Sequence, residues 1–243
     1  KYLGETIDIH AGGIDHIPVH HTNEIAQSEA ATGKPFVSTW LHTNHILINE
    51  QKISKSLGNG ITLQDVIDKG FDPLALRLLV LESHYSTQST FSWDTLAAAQ
   101  NRLNGYRAMA DLRLQSSTEH MSDSMITFLS ETAPAALLDA ANNNLDTPAM
   151  LAALSNAQRY VNEEGIGDGG EILTGFLELA DELLGLNLLR SQDLTKEQKQ
   201  LLQEREKARA DKDWTKSDEI RDQLKEQGII VRDDANGQIW SRA

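Results

Sequence analysis

The sequence of 243 residues contains no cysteine and few aromatic residues. A chain without cysteine forms no disulfides and offers no thiolate to a metal ion, which fits a reducing compartment such as the cytoplasm. No run of about 18 apolar residues occurs, so we expect neither a membrane span nor a membrane partner. The sequence starts without an initiator methionine or a signal peptide, which indicates that it begins inside a longer protein.

Basic residues are scarce as well, with 22 lysines and arginines against 36 acidic residues and a net charge of −14. The balance is uneven along the chain. Residues 116–194 hold two basic and thirteen acidic side chains, whereas residues 195–243 hold eleven of each sign. Because phosphate contacts need lysine and arginine locally, the last segment is the expected RNA-binding face and the middle is not.

Near the N-terminus, Thr6–His10 alternates like a β-strand, and the residues Ala11, Gly12 and Gly13 are expected to break it. Paired glycines after a strand allow a ligand to approach the backbone, and Asp15 just beyond can accept hydrogen bonds from ribose hydroxyls. A plain tight turn explains the same pattern equally well.

A helix is predicted from His20 to about Thr32, and it places His20 and Glu24 on one face, four residues apart. An imidazole and a carboxylate in this arrangement can share a zinc ion. They can also form a simple surface pair, and the residues alone leave both interpretations open.

The segment Lys52-Ile53-Ser54-Lys55-Ser56 is typical of a mobile loop that folds over a polyphosphate. The two ammonium groups suit phosphate oxygens, and Ser54 and Ser56 add neutral donors. A lysine that reaches the phosphates only on closure stabilises the transition state of adenylation more than the ground state. A solvated turn is the alternative.

Phe36–Trp40 and His45–Ile48 are predicted to form two further strands. Thr62, Asp72 and Ser92 are predicted N-caps of helices. The helices up to residue 194 have apolar stripes and no obvious chemistry.

Residues 195–243 predict two helices, the first with a capping box, followed by a hairpin with an Asn-Gly turn. We expect Trp214 to lie in the core of this module. The residues expected to contact RNA there are Arg205, Arg209, Lys212, Asp218, Arg221 and Trp240, although a core position suits Trp240 equally well.

The order of four segments resembles the cysteinyl-tRNA synthetase family of class I aminoacyl-tRNA synthetases. These segments are residues 10–15 (HAGGID), 20–29 (HHTNEIAQSE), 40–43 (WLHT) and 52–56 (KISKS). The sequence departs from the family pattern at three positions in or beside these segments: Val19 replaces a proline, Thr22 a glutamate and Ile53 a methionine.

The resemblance implies an α/β fold, a partial Rossmann-like nucleotide-binding half, followed by an α-helical bundle and a small C-terminal α+β module. The implied boundaries are residues 1–60 for the catalytic part with its lysine loop, 61–115 for stem-contacting helices, 116–194 for the bundle and 195–243 for an anticodon-binding module. It implies activation of cysteine with ATP and Mg²⁺, transfer to tRNA(Cys), and a monomer.

The resemblance also assigns roles to single residues. Lys52 and Lys55 would be catalytic, and the ATP site would comprise Gly12, Gly13, Asp15, Ser54, Lys55 and Ser56. His20 and Glu24 would be two of four zinc ligands, and zinc would select the cysteine thiol. The other two ligands and the family's second ATP motif would lie upstream, so the chain alone is expected to make no adenylate.

Two alternatives stay open. A related ligase joins cysteine to an amino-sugar on the same scaffold, but it lacks a module such as residues 195–243. The chain could also be a non-catalytic RNA-binding or scaffold protein that retains a disabled nucleotide fold.

Overall fold

A parallel strand–helix–strand unit forms the N-terminal part of the protein. The computed structural model describes residues 2–48, 60–115, 119–234 and 237–242. Strand β1 (Ile7–Gly13) pairs in parallel with β2 (Val37–Thr43), in a register that runs from Ile7 opposite Val37 to Gly13 opposite Thr43. Helix α1 (Thr22–Thr32) connects them and follows a 3-10 turn (Ile14–His16) and a π-helical turn (Ile17–His21).

The predicted break at the paired glycines was wrong, because β1 continues through Gly12 and Gly13 to its end. Glycine is tolerated in this strand because the space beside it is already filled. A Cβ atom on Gly12 would lie 2.7 Å from the His21 ring, so any larger residue would displace that imidazole. The two glycines therefore admit neighbouring side chains to the strand.

A second parallel pair lies further along the chain. Strand β3 (Ile46–Ile48) pairs with β4 (Ser89–Phe91), which the sequence did not predict. Between them lie α2 (Leu63–Asp68), which begins with a capping box between Thr62 and Asp65, and α3 (Pro73–Leu81), capped by Asp72. Both helix starts were predicted from their cap residues.

Five further helices pack around one apolar core. They are α4 (Trp93–Asp111), α5 (Asp123–Thr127), α6 (Ala133–Asn142), α7 (Thr147–Glu164) and α8 (Gly170–Leu184). On α4, Leu96, Ala99, Leu103 and Tyr106 are buried at helical spacing. Each fully buried leucine contributes about 1.5–3 kcal/mol. The cluster extends from Ile48 to Leu188, so the β3–β4 pair and the bundle share a core.

Asp72 connects three parts of this assembly. Its carboxylate accepts the N–H of Leu74 at 2.9 Å, and it pairs with Arg107 of α4 at 2.7 Å and with Arg190 at 3.1 Å. Arg107 is almost fully buried. Burial alone would raise the pKa of Asp72, but the Leu74 N–H and the Arg107 guanidinium outweigh it and lower that pKa.

The C-terminal module consists of α9 (Lys196–Ala210), α10 (Trp214–Glu226) and an antiparallel hairpin of β5 (Ile229–Asp234) and β6 (Gly237–Arg242). The predicted capping box at Thr195 and the predicted hairpin are confirmed. The module has a separate apolar core, made by Leu194, Leu202, Ile220, Leu224, Ile229, Val231 and Trp240.

Among the described residues, no helix is both long enough and apolar enough to span a bilayer.

Candidate functional site

A cluster of imidazoles surrounds Glu24 beside the βαβ unit. His10 Nε2 donates to Glu24 Oε2 at 2.9 Å, and one ligand atom each from His10, His21 and Glu24 lie within 4.8 Å of one another. Ligand atoms around a tetrahedral zinc ion are somewhat closer, because each bond is about 2.0–2.2 Å long. The three groups therefore need only a small rearrangement to bind a metal ion.

The predicted ligand pair His20 and Glu24 is also close together, with His20 Nε2 3.5 Å from Glu24 Oε1. His20 lies in the π-helical turn and is well exposed, whereas His21 is buried. Glu24 thus lies between the side chains of His10 and His20. Sequence reasoning missed His10 and His21, because their approach depends on how β1 packs against the start of α1.

Burial, a hydrogen bond and nearby charges favour the protonation states that bind metal. Burial, followed by the nearby imidazoles of His10 and His42, lowers the pKa of His21. The hydrogen bond from His10 lowers the pKa of Glu24. A neutral imidazole and an ionised carboxylate are the ligand forms of these groups. In addition, His42 Nε2 lies 2.9 Å from His21 Nδ1 and orients the ring, as outer partners of metal-bound histidines do.

Some of the predicted nucleotide-binding residues lie within the described residues and others lie outside them. Gly12 and Gly13 end β1, and Asp15 follows in the 3-10 turn, half exposed and with Oδ1 3.4 Å from His45 Nε2. Strands β1 and β2 run in parallel, so Gly13 and Thr43 lie at the same carboxyl edge, where ligands of α/β folds bind. Lys52, Ser54, Lys55 and Ser56 lie outside the described residues, so the phosphate loop stays a prediction.

Two of the residues predicted to contact RNA lie inside the C-terminal module. Arg205 is 1% exposed and donates from both terminal nitrogens to Asp233, at 2.9 and 2.8 Å, and from Nη1 to Gln238. Trp240 is 6% exposed and belongs to the apolar core. Buried side chains are out of reach of a nucleic acid, so the structure gives both residues a structural role instead.

The other predicted RNA contacts are exposed or, for Arg209, partly exposed. Arg209, Lys212, Asp218 and Arg221 lie on α9, α10 and the turn between them, and Arg221 pairs with Asp218 at 3.1 Å. Trp214 was predicted to be core, and this was wrong: it is 56% exposed, with the Arg209 guanidinium 5.6 Å from its ring centre. An exposed tryptophan beside an arginine is a stacking surface for an unpaired base.

Two family models match the chain at its two ends. The model of the tRNA synthetases class I (C) catalytic domain matches residues 1–101, and that of the cysteinyl-tRNA ligase anticodon binding domain matches residues 191–240. The first covers the imidazole cluster and both parallel strand pairs. The second covers nearly the whole C-terminal module.

Curated relatives align along the whole chain. A cysteine–tRNA ligase of Treponema denticola is 40% identical over 273 aligned residues, and one of Bacillus cereus is 40% identical over 252. Each alignment covers 100% of this chain and 54% of the relative, so the chain spans about half the length of these proteins.

A solved structure has the same fold over much of the chain. A ternary complex of Agrobacterium radiobacter LeuRS with tRNA and LeuAMS aligns with a TM-score of 0.56 and 19% identity, over 74% of this chain and 26% of that one. The chain is thus similar to the cysteinyl-tRNA synthetase family along its whole length, and each of its two ends matches a domain model of a class I tRNA synthetase.

Proposed function

We infer that this chain is part of a cysteine–tRNA ligase, which activates cysteine with ATP and transfers it to tRNA(Cys). The observation that carries the proposal is the 40% identity along the whole chain, with a catalytic-domain match at one end and an anticodon-domain match at the other. As an enzyme of protein synthesis it would act in the cytoplasm, as a monomer. The βαβ unit supports a Rossmann-like arrangement of the catalytic part.

The imidazole cluster supports a zinc site in this enzyme. Glu24 would bind the ion together with His20, as the family pattern implies, or with His10 and His21, whose ligand atoms lie within 4.8 Å of its own. When bound, zinc would hold the substrate thiolate and disfavour serine, because soft sulfur binds zinc better than a hydroxyl does. Gly12 would keep the backbone of β1 close to the cluster, since a side chain there would displace His21.

Single substitutions separate the two ligand sets. His20→Ala should lower zinc affinity at least ten-fold if the family set holds the ion, and His21→Ala should do so if the second set does. His84→Ala is a matched control, because His84 bonds Ser86 and Asn144 instead. Equal zinc content in all three variants would contradict both assignments.

The nucleotide would bind at the carboxyl edge of β1, with Asp15 beside the ribose and the backbone of Gly12 and Gly13 against the adenosine. Lys52 and Lys55, with Ser54 and Ser56, would close over the triphosphate and its Mg²⁺. Lys55 would stabilise the charge that develops on the phosphates as pyrophosphate leaves.

The C-terminal module would bind the anticodon loop through its exposed edge. Arg209, Lys212 and Arg221 supply positive charge, and Trp214 supplies a face on which a base can stack. Asp218, beside Arg221, offers an acceptor for a base edge. The amino-sugar ligase is not favoured, because it has no such module.

The function is tested in the polypeptide of the complete reading frame by cysteine-dependent ATP–pyrophosphate exchange. Lys55→Ala should lower the exchange rate by about 10²–10³-fold with little change in cysteine affinity. Lys34→Ala is the matched control, because Lys34 pairs with Glu5 on the surface. Exchange that requires serine or no amino acid would contradict the proposal, and so would a normal rate in Lys55→Ala.

A further inference from the structure

The outer edge of β6 is held by two side chains from the end of α4. The Gln115 amide donates to the carbonyl oxygen of Trp240 at 2.8 Å and accepts the Trp240 N–H at 3.1 Å. Two residues further along the strand, the Arg242 N–H donates to Asp111 Oδ2 at 2.7 Å. Gln115 thus bonds to β6 as a neighbouring strand would.

The spacing of the two partners explains the fit. Alternate residues of a strand point their backbone groups to the same side, and two residues advance the strand by about 6.8 Å. Four residues of a helix advance by about 6 Å. Asp111 ends α4 and Gln115 follows one turn later. The distance between these two residues therefore matches the distance between their partners, so that Gln115 bonds Trp240 and Asp111 bonds Arg242.

Apolar contact between the module and the rest of the chain is small in the described residues. The core of the module is separate from the main core, and Leu114 is the partly buried residue from the end of the α4 segment that packs against it. Polar links add to this contact. They include hydrogen bonds from Arg113 to the carbonyls of Leu189 and Ser191, and from Arg242 to those of Gln192 and Asp193.

A module attached through few apolar contacts keeps its orientation only if directional bonds fix it. Asp111 is fully buried, and its second oxygen, Oδ1, lies 4.0 Å from Arg113 Nη1 and has no hydrogen-bond partner among the described residues. Burial of a carboxylate costs free energy unless hydrogen bonds or a neighbouring charge compensate for the lost hydration. The bond to Arg242 is therefore a specific link and is unlike a surface contact that water could replace.

We propose that Asp111 and Gln115 are positioning residues that set the orientation of the C-terminal module on α4. Helix α4 starts directly after β4, which pairs with β3 in the catalytic part. The two side chains therefore connect the module to the catalytic part through one continuous helix. Given the proposed function, the consequence is that two RNA-contacting regions of the enzyme are aligned before tRNA binds.

The orientation is measured without RNA. Because the chain has no cysteine, Ala135→Cys on α6 and Gln223→Cys on α10, both exposed, give two unique sites for spin labels. Pulsed electron–electron double resonance then reports the distribution of distances between the two spin labels, one on the bundle and one on the module. We expect a narrow distribution in the doubly labelled parent and one at least about two-fold wider in Gln115→Ala.

Gln115→Glu separates positioning from packing. It keeps the shape of the side chain and the acceptor for the Trp240 N–H, but it puts a carboxylate oxygen against the Trp240 carbonyl. We expect the same widening as in Gln115→Ala. Gln200→Ala, which removes an exposed glutamine that donates to Glu204 within α9, should leave the distribution narrow.

Unchanged widths in both Gln115 variants would overturn the proposal. Widening accompanied by faster amide exchange throughout β5 and β6 would also overturn it, because Gln115 would then maintain the fold of the module and not its orientation. Neither result depends on RNA binding, so failure here is distinguishable from failure of the proposed function.

A second measurement tests the consequence for RNA. Whole tRNA contacts two regions of the enzyme, so loss of their alignment should weaken its binding to Gln115→Glu about ten-fold. An isolated anticodon stem–loop contacts the module alone, and its affinity should not change. Equal weakening for both RNAs would contradict alignment as the role of Gln115.

Discussion

Replacing Arg205 tests whether this residue supports the module or contacts RNA. Its guanidinium is 1% exposed and makes three hydrogen bonds, two to Asp233 and one to Gln238. Arg205→Met keeps most of the apolar stem and removes all three bonds. We expect a large loss of module stability, because Asp233 and Gln238 lose the guanidinium to which they are hydrogen-bonded.

The size of the loss follows from the surroundings of Asp233. Breaking a fully buried ion pair costs about 3–5 kcal/mol. Here the Asp233 side chain is 34% exposed and retains Arg209 at 3.2 Å, so water and a second cation compensate part of the cost. An expected loss of about 2–3 kcal/mol remains.

Hydrogen exchange followed by mass spectrometry measures this loss within the module. At tenfold for each 1.4 kcal/mol, amides of β5 and β6 should exchange about 30–150 times faster in Arg205→Met. Arg209→Met is the matched control and should change exchange less than five-fold, or about 1 kcal/mol, because Arg209 is partly exposed. Similar exchange in the two variants would refute the structural role of Arg205.

The same pair predicts a pH dependence. The hydrogen bond from Arg205 lowers the pKa of Asp233 in the folded protein. A depressed carboxyl pKa stabilises the fold above the unfolded value of about 3.9, and the contribution is lost as the pH falls through the folded value. Module stability should therefore fall less steeply between pH 5 and pH 2 in Arg205→Met than in the parent.

Three further outcomes are expected. Trp214→Ala should weaken binding of an anticodon stem–loop by about 1–3 kcal/mol in a fluorescence anisotropy titration, with unchanged thermal stability because the ring is exposed. Glu24→Gln should abolish the rise in melting temperature that added zinc gives the parent, and an undiminished rise would exclude Glu24 as a ligand. Asp72→Asn should reduce the loss of stability that the parent shows below about pH 4, because protonation of Asp72 at its lowered pKa breaks the pair with Arg107 in the parent alone. Identical acid denaturation curves for the two proteins would contradict that pair.

Local signals in the sequence predicted the helix starts and the hairpin well. The caps at Thr62, Asp72, Ser92 and Thr195 each lie within three residues of the group they bond, so their geometry depends on the neighbouring residues alone. The βαβ order followed from the alternation of strand and helix patterns.

Features that depend on distant partners were not predictable. Strand β4 has three residues and pairs with β3 about forty positions earlier, so no periodicity indicated it. Arg205 looked like a surface cation because Asp233 and Gln238, which neutralise and bond it, lie 28 and 33 residues further on. Trp214 looked like a core residue by type alone.

The candidate metal site shows the same division. Helical spacing paired His20 with Glu24 directly, since both lie on one short segment. His10 and His42 come from two strands, and only the packing of these strands against the start of α1 brings their rings to the same cluster. A sequence pattern gives the ligands of one element, and the fold supplies those of the others.

The carboxylate of Asp72 has a consequence for how the chain melts. One side chain joins the start of α3, the middle of α4 and the segment after α8, which are separated by up to 118 positions. If any one of these regions opened, the Asp72 carboxylate would lose hydrogen bonds to the others. Calorimetry should therefore show a single sharp heat-absorption peak for the part of the chain that shares the core from Ile48 to Leu188, and a second peak for the module with its separate core.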